Sequence, residues 1–301
     1  MVVDCRNLHV PSCAHLVVTY LCLLDESGRQ VRPEGWFLYG ACAIESDHIW
    51  ALHRKIVRIR NRAGFRSRTP FKWTRPTAQS ISAAAHNRAA DELLDACREE
   101  AVRMFIAMVP SVLTTRTSRD NTSVRYGIGY SLTFLQQFLE KVHDHGIVSV
   151  DTFAGGNSLP IIEQVLAEGR PAGMAGNERT RKFGRILVSA VSSIRSTVFG
   201  PMIDVPLGAF GFCLSTADIA RARDLYARLK FLINRGGSNG TPWNHGLRIR
   251  PIEILYSDCS RLALRGHDRL VALGEKPAPL GWRVEWDETA RHGPRFANGL
   301  P

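Results

Sequence analysis

Val17-Val18-Thr19-Tyr20-Leu21-Cys22-Leu23-Leu24-Asp25-Glu26-Ser27-Gly28 is apolar, β-branched or aromatic through Leu24, then turns abruptly to two acids, a serine and a glycine. The first part predicts a buried strand. A strand leaving a core into Asp25 and Glu26 sets carboxylates at a sheet edge on a rigid support, a place suited to a catalytic metal. Asp-Glu-Ser-Gly is equally good turn chemistry, so a plain hairpin end is the competing reading.

Working outward, the apolar run at 36–44 predicts a second strand, antiparallel to the first. Residues 47–63 carry Ile49, Leu52, Ile56 and Ile59 at helical spacing, with Asp47 placed to cap the helix and Gly64 to end it. Ser80 or Ser82 opens a helix reaching about Phe105, with Ala90, Leu93, Cys97, Ala101 and Met104 as its buried stripe. A polar loop over 110–123 leads to a helix over 126–145, stopped by Gly146. Further on come helices at 158–168, 217–234 and 260–273, and strands at 185–194 and 249–256. The mixture predicts an α/β fold. The glycines at 236–240 mark the best internal boundary, dividing a main domain, 1–235, from a C-terminal extension, 236–301, packed on it.

Two later stretches repeat the opening theme. Ile147-Val148-Ser149-Val150-Asp151 is a β-branched run ending in an acid, followed by small residues. If this strand lies beside the first, Asp25 and Asp151 converge, and paired carboxylates call for a divalent cation or a raised pKa. Alone, Asp151 reads equally well as a loop-starting cap. Asp204 is the only charge between Val198 and Leu214. An acid in an apolar helix is costly unless paired, protonated or metal-bound. Gly200-Pro201 can start that helix, with Pro206 in its first turn. A capping role for Asp204 is the alternative.

The net charge is +11, which favours polyanions as partners. No acid occurs between His48 and Ala90, while Arg54, Lys55, Arg58, Arg60, Arg62, Arg66, Arg68, Lys72 and Arg75 do, interleaved with Phe65, Phe71 and Trp73. Such a stretch can neutralise phosphates and stack on bases; a solvated helix face and basic loop is the plainer reading. The seven cysteines are odd in number, and several sit in apolar runs, as reduced core thiols do. Cys5, His9, Cys13 and His15 are zinc-binding types at a spacing that matches no common site. With no signal peptide and no run long enough to span a bilayer, a cytoplasmic protein that does not engage membrane is expected. His53, His143 and His145 lack a supporting motif and read as surface residues.

Three stretches together resemble the DUF3800 family. Leu24-Asp25-Glu26-Ser27-Gly28 resembles its opening motif, Phe71-Lys72-Trp73 its Lys-Trp motif, and Asp204-Val205-Pro206-Leu207-Gly208-Ala209 its last motif. Asp151 falls where the family carries its middle Asp. The resemblance spans roughly 16–214 and implies a ribonuclease H-like mixed sheet flanked by helices. It implies Asp25, Asp151 and Asp204 as ligands of Mg2+ or Mn2+, and Lys72 and Glu26 as further catalytic candidates. Pro70 stands where the family commonly has a glutamate, and Glu26 is the candidate replacement. The implied activity is divalent-metal-dependent hydrolysis of RNA or DNA, with Arg58, Arg62, Arg66, Arg68, Lys72, Trp73 and Arg75 holding the backbone. A catalytically degenerate nucleic-acid-binding protein is the alternative that Pro70 motivates.

Overall fold

A computed structural model describes residues 19–27, 35–66, 69–75, 81–110, 122–151, 158–169, 183–192, 197–236, 240–249 and 257–278. Strands β1 (Tyr20–Ser27) and β2 (Trp36–Glu45) form the expected antiparallel hairpin, with Asp25 opposite Gly40. β3 (Arg103–Pro110) pairs antiparallel to β2, whereas β4 (Gly146–Asp151) pairs parallel to β1, and β5 (Ile186–Ser192) parallel to β4. β6 (Leu247–Ile249) adds parallel to β3. The sheet order is β5-β4-β1-β2-β3-β6, and β2 alone runs against the rest.

Helices cover both faces. On one lie α1 (Ser46–Ala63), α2 (Ala83–Glu99), α5 (Pro201–Ser215), α6 (Ile219–Leu232) and α7 (Ser257–Ala272). On the other lie α3 (Thr122–Lys141) and α4 (Ser158–Glu168). Two apolar cores result, and the strands feed both by alternation. Met104, Ile106 and Met108 enter the first core, Phe105, Ala107 and Val109 the second. β6 extends the same sheet beyond Gly236, and α7 packs on α5 and β3. No described helix is long and apolar enough to cross a membrane.

Several boundaries differ from the sequence expectations. The helix expected to reach Phe105 ends at Glu99, and β3 follows almost at once. Ala101 adopts φ 52, a left-handed conformation that stops the helix. The strand escapes a periodicity reading because it is buried on both faces and shows no polar alternation. α3 ends at Lys141, and Gly146 opens β4 instead of closing the helix; the break comes at His143, with φ 58. Asp47 does not cap α1: Glu45 holds that position without a side-chain bond, and the Ser46 N–H donates to the Thr19 carbonyl at 2.6 Å. Gly64, at φ 81, closes α1 as expected. Of the strand expected at 249–256, only Ile249 lies among the described residues, as the end of β6.

Ser82 caps α2, its hydroxyl accepting the Ala85 N–H at 3.1 Å. Ser82→Ala is expected to cost ~1 kcal/mol in chemical denaturation, with no change in fold.

Candidate active site

The site grows from one rung of the sheet. Leu24 pairs with Val150, so Asp25 and Asp151 take the next rung of the parallel β1–β4 ladder. Cys22, Leu24, Val148 and Val150 all face the second core. By alternation, Asp25 and Asp151 therefore both face the first, on the side covered by α5. Both are buried, at 4% and 1% exposure.

α5 brings the third acid. Gly40, opposite Asp25, has no side chain, and α5 settles onto it: a Cβ there would lie 2.9 Å from Leu207 Cδ1 and 3.4 Å from Ile203 Cδ1. That approach sets Asp204, between those two apolar contacts, beside Asp25. The capping alternative for Asp204 does not hold, because Gly200 occupies the N-cap position and Pro201 starts the helix. Pro206 lies in the second turn instead of the first, leaving the Met202 carbonyl without its usual N–H donor. On the outer side of α5, Trp73 rests on Gly208, where a Cβ would clash with its side chain, and meets Phe212 at 5.6 Å between ring centroids.

Trp73 anchors the segment that delivers Lys72. The Lys72 ammonium stands 3.5 Å from Asp204 Oδ1. Its backbone is fixed by His86 Nε2–H, which donates to the Lys72 carbonyl at 2.9 Å. His86 was not among the sequence candidates, although it shares the helical stripe of Ala90, Leu93 and Cys97; it is buried at 3% exposure. Burial lowers its pKa, outweighing the bond to the Lys72 carbonyl, which acts the other way.

The electrostatics follow from this crowding. Burial pushes the Asp25 carboxyl up to about 8, and the negative charges of Asp204 and Asp151 add to the rise. The Glu26 N–H, donating to Asp25 Oδ1 at 2.7 Å, and the Lys72 ammonium oppose it. Carboxylates near enough to act on one another are hard oxygen donors of the type that Mg2+ or Mn2+ takes. As the side chains lie, no three His, Cys, Asp or Glu among the described residues form a ready metal cage. Residues 28–34, 152–157 and 193–196, which follow β1, β4 and β5 in the chain, lie outside the described residues.

The other candidates fall elsewhere. Glu26 is the neighbour of Asp25 in an extended strand, so its Cβ points to the opposite face, and it does not stand in for the missing glutamate. Pro70 is exposed. The basic stretch is divided. Arg62 pairs with Glu92 at 3.1 Å, and Lys55 with Glu99 at 2.7 Å and Glu100 at 2.5 Å, so α2 and the residue that closes it supply the opposite charge that the local sequence lacks. Arg60 holds the carbonyls of Arg66 and Thr69. Arg75 is exposed and reaches the Ile81 carbonyl at 3.4 Å. Phe65 and Phe71 are core residues and offer no free face, and Trp73 is partly buried, packed against α5. Arg58 and Arg66 remain exposed; Arg68 lies outside the described residues, as do Cys5, His9, Cys13 and His15. Comparison with known proteins returns no matching family model, curated protein or solved structure.

Proposed function

We propose that the protein is a nuclease, dependent on Mg2+ or Mn2+, that hydrolyses phosphodiester bonds of RNA or DNA in the cytoplasm. One observation carries this reading: Asp25 and Asp151 sit on adjacent parallel strands, Asp204 is near enough for both it and Asp151 to raise the Asp25 carboxyl, and the Lys72 ammonium stands 3.5 Å from Asp204. Mutually repelling buried carboxylates oppose folding unless their charge is used. In this reading Asp25, Asp151 and Asp204 hold the metal, which on binding would activate water and stabilise the leaving oxygen. Lys72 offsets the charge that develops on the phosphate. The antiparallel β1–β3 meander, extended by β4 and β5 parallel to β1, is compatible with the ribonuclease H-like sheet of the DUF3800 resemblance. The buried free thiols Cys22, Cys42, Cys97 and Cys213 suit a reducing compartment.

The second reading is a nucleic-acid-binding protein without catalysis. It is favoured by the placement of Glu26 on the far side of β1 and by the exposed Pro70, which leave three carboxylates where the resembling family has four.

Calorimetric titration with Mg2+ and Mn2+ separates the two. Binding by the wild type that Asp151→Asn abolishes supports the metal-dependent reading. No binding by the wild type, with or without nucleic acid, sinks it and leaves the second.

A further inference from the structure

The α1 helix carries charge on two flanks, and among the described residues only one flank meets opposite charge. Lys55 and Arg62 turn toward α2 and meet Glu92, Glu99 and Glu100 there. Trp50, Arg54 and Arg58 stand at i, i+4 and i+8, within about 80° of arc, on the flank opposite the buried Leu52, Ile56 and Ile59. Arg54 and Arg58 are exposed, and no carboxylate among the described residues pairs with either. Trp50 is 72% exposed, the most of any large apolar side chain described. An indole held that far into water contributes little to folding, and an exposed tryptophan in line with two exposed arginines suits a ligand that is aromatic and anionic at once.

The ridge is also connected to the carboxylates. The Trp50 ring meets His53 edge-on at 5.5 Å, and His53 meets Phe199 at 5.9 Å. Phe199 lies just before the start of α5, the helix that carries Asp204. From the other end, α1 runs into the segment bearing Lys72.

We propose that the Trp50–Arg54–Arg58 ridge is a binding track for single-stranded nucleic acid, with Trp50 stacking on an unpaired base and the two arginines on successive phosphates. Arg54 and Arg58 are one helical turn apart, ~6 Å along the axis, so each can meet its own phosphate on an extended strand. Stacking needs an open base face, which a duplex hides inside its helix, so the ridge selects single strands. The track deepens the nuclease reading by naming its substrate class, and it rests on that reading only for the cleavage step, not for binding.

The test is fluorescence anisotropy of short labelled oligonucleotides, single-stranded and duplex, in EDTA, so that metal binding plays no part. The wild type is expected to prefer the single strand. Trp50→Ala should weaken binding ~5-fold to ~100-fold, and Trp50→Phe should retain most of it. The Arg54→Ala/Arg58→Ala double variant should lower the slope of log affinity against log salt by ~1.4, since each lost phosphate contact removes ~0.7. Arg62→Ala, whose guanidinium Glu92 already holds, should change the slope little. All of these replacements are at exposed positions, and circular dichroism checks that each variant folds. Unchanged affinity in Trp50→Ala, or a preference for duplex, overturns the track. Trp50-dependent binding to phosphatidylserine vesicles with no binding to oligonucleotides overturns it in favour of a membrane surface. Single-strand binding that needs Trp50, with no metal-dependent cleavage, keeps the track and removes the nuclease reading; cleavage unaffected by Trp50→Ala does the reverse.

Discussion

Asp25→Asn and Asp151→Asn are each expected to lower metal-dependent cleavage of nucleic acid by at least ~100-fold while leaving the fold intact. Both replacements keep the side-chain shape at buried strand ends. In Asp25→Asn the amide oxygen can still accept the Glu26 N–H, so the local backbone bond survives. What each loses is one unit of negative charge facing the other carboxylates, and that charge is what a divalent cation needs. Asp204→Asn removes the partner of the Lys72 ammonium as well, so its effect mixes metal binding with Lys72 placement. The two strand-end variants are therefore the cleaner pair. Cleavage assays with Mg2+ and Mn2+ on single-stranded RNA and DNA, alongside thermal melts, give the result. Turnover within ~3-fold of wild type in both variants, with metal still required, would place the chemistry elsewhere.

The sequence reveals this site unevenly, for physical reasons. Asp25 and Asp151 are legible because each closes a β-branched run, and a strand that ends in an acid advertises its own edge. Their pairing across β1 and β4 is a condition that the hydrophobic pattern leaves open, and the parallel ladder meets it. Asp204 is legible because it is a lone charge in an apolar helix. The choice between cap and site depends on where the helix starts, and Gly200-Pro201 moves that start upstream of the acid. Glu26 misleads because adjacency in sequence is opposition in a strand. The basic stretch misleads for a different reason. Its neutralising acids, Glu92 and Glu99, stand 30 and 44 residues from the Arg62 and Lys55 they meet, so no local window contains both. Phe65 and Phe71 read as stacking aromatics in a basic loop, yet they close the first core over α1 and α2. His86 is a lone polar residue on an apolar stripe, and its partner is a backbone carbonyl, which sequence does not single out. β3 fails outright, since a strand buried on both faces carries neither the alternation of an edge nor the polar stripe of a helix.

The metal-free protein is expected to lose stability as pH rises from about 4 to about 8, through Asp25. Its carboxyl is protonated in the folded state up to about 8, whereas in the unfolded chain it ionises near 3.8. Between those values the native state holds a proton that the unfolded state has released. Unfolding is then favoured as pH rises, by ~1.4 kcal/mol per pH unit where the difference is complete, and the loss levels off above about 8. Summed over the window, the contribution reaches at most ~6 kcal/mol. Other groups act elsewhere or in the opposite sense. Glu100, held down by Lys55 and His48, and Glu275, held down by Arg235, contribute stability that is lost only as pH falls below the ordinary carboxylate range. His86, lowered by burial, costs stability as pH falls below about 6.5, which opposes the Asp25 slope. The difference between wild type and Asp25→Asn isolates the one carboxyl, because asparagine does not titrate. Chemical denaturation of both proteins in EDTA across about pH 5 to 9 should show Asp25→Asn gaining on the wild type by a few kcal/mol as pH rises. Saturating Mg2+ or Mn2+ should close that gap, since a bound cation favours the ionised carboxyl in the folded state alone. Parallel curves in EDTA would mean that Asp25 is ionised at neutral pH, its charge already balanced by Lys72. A gap that metal leaves unchanged would mean that the three carboxylates share an edge without sharing an ion.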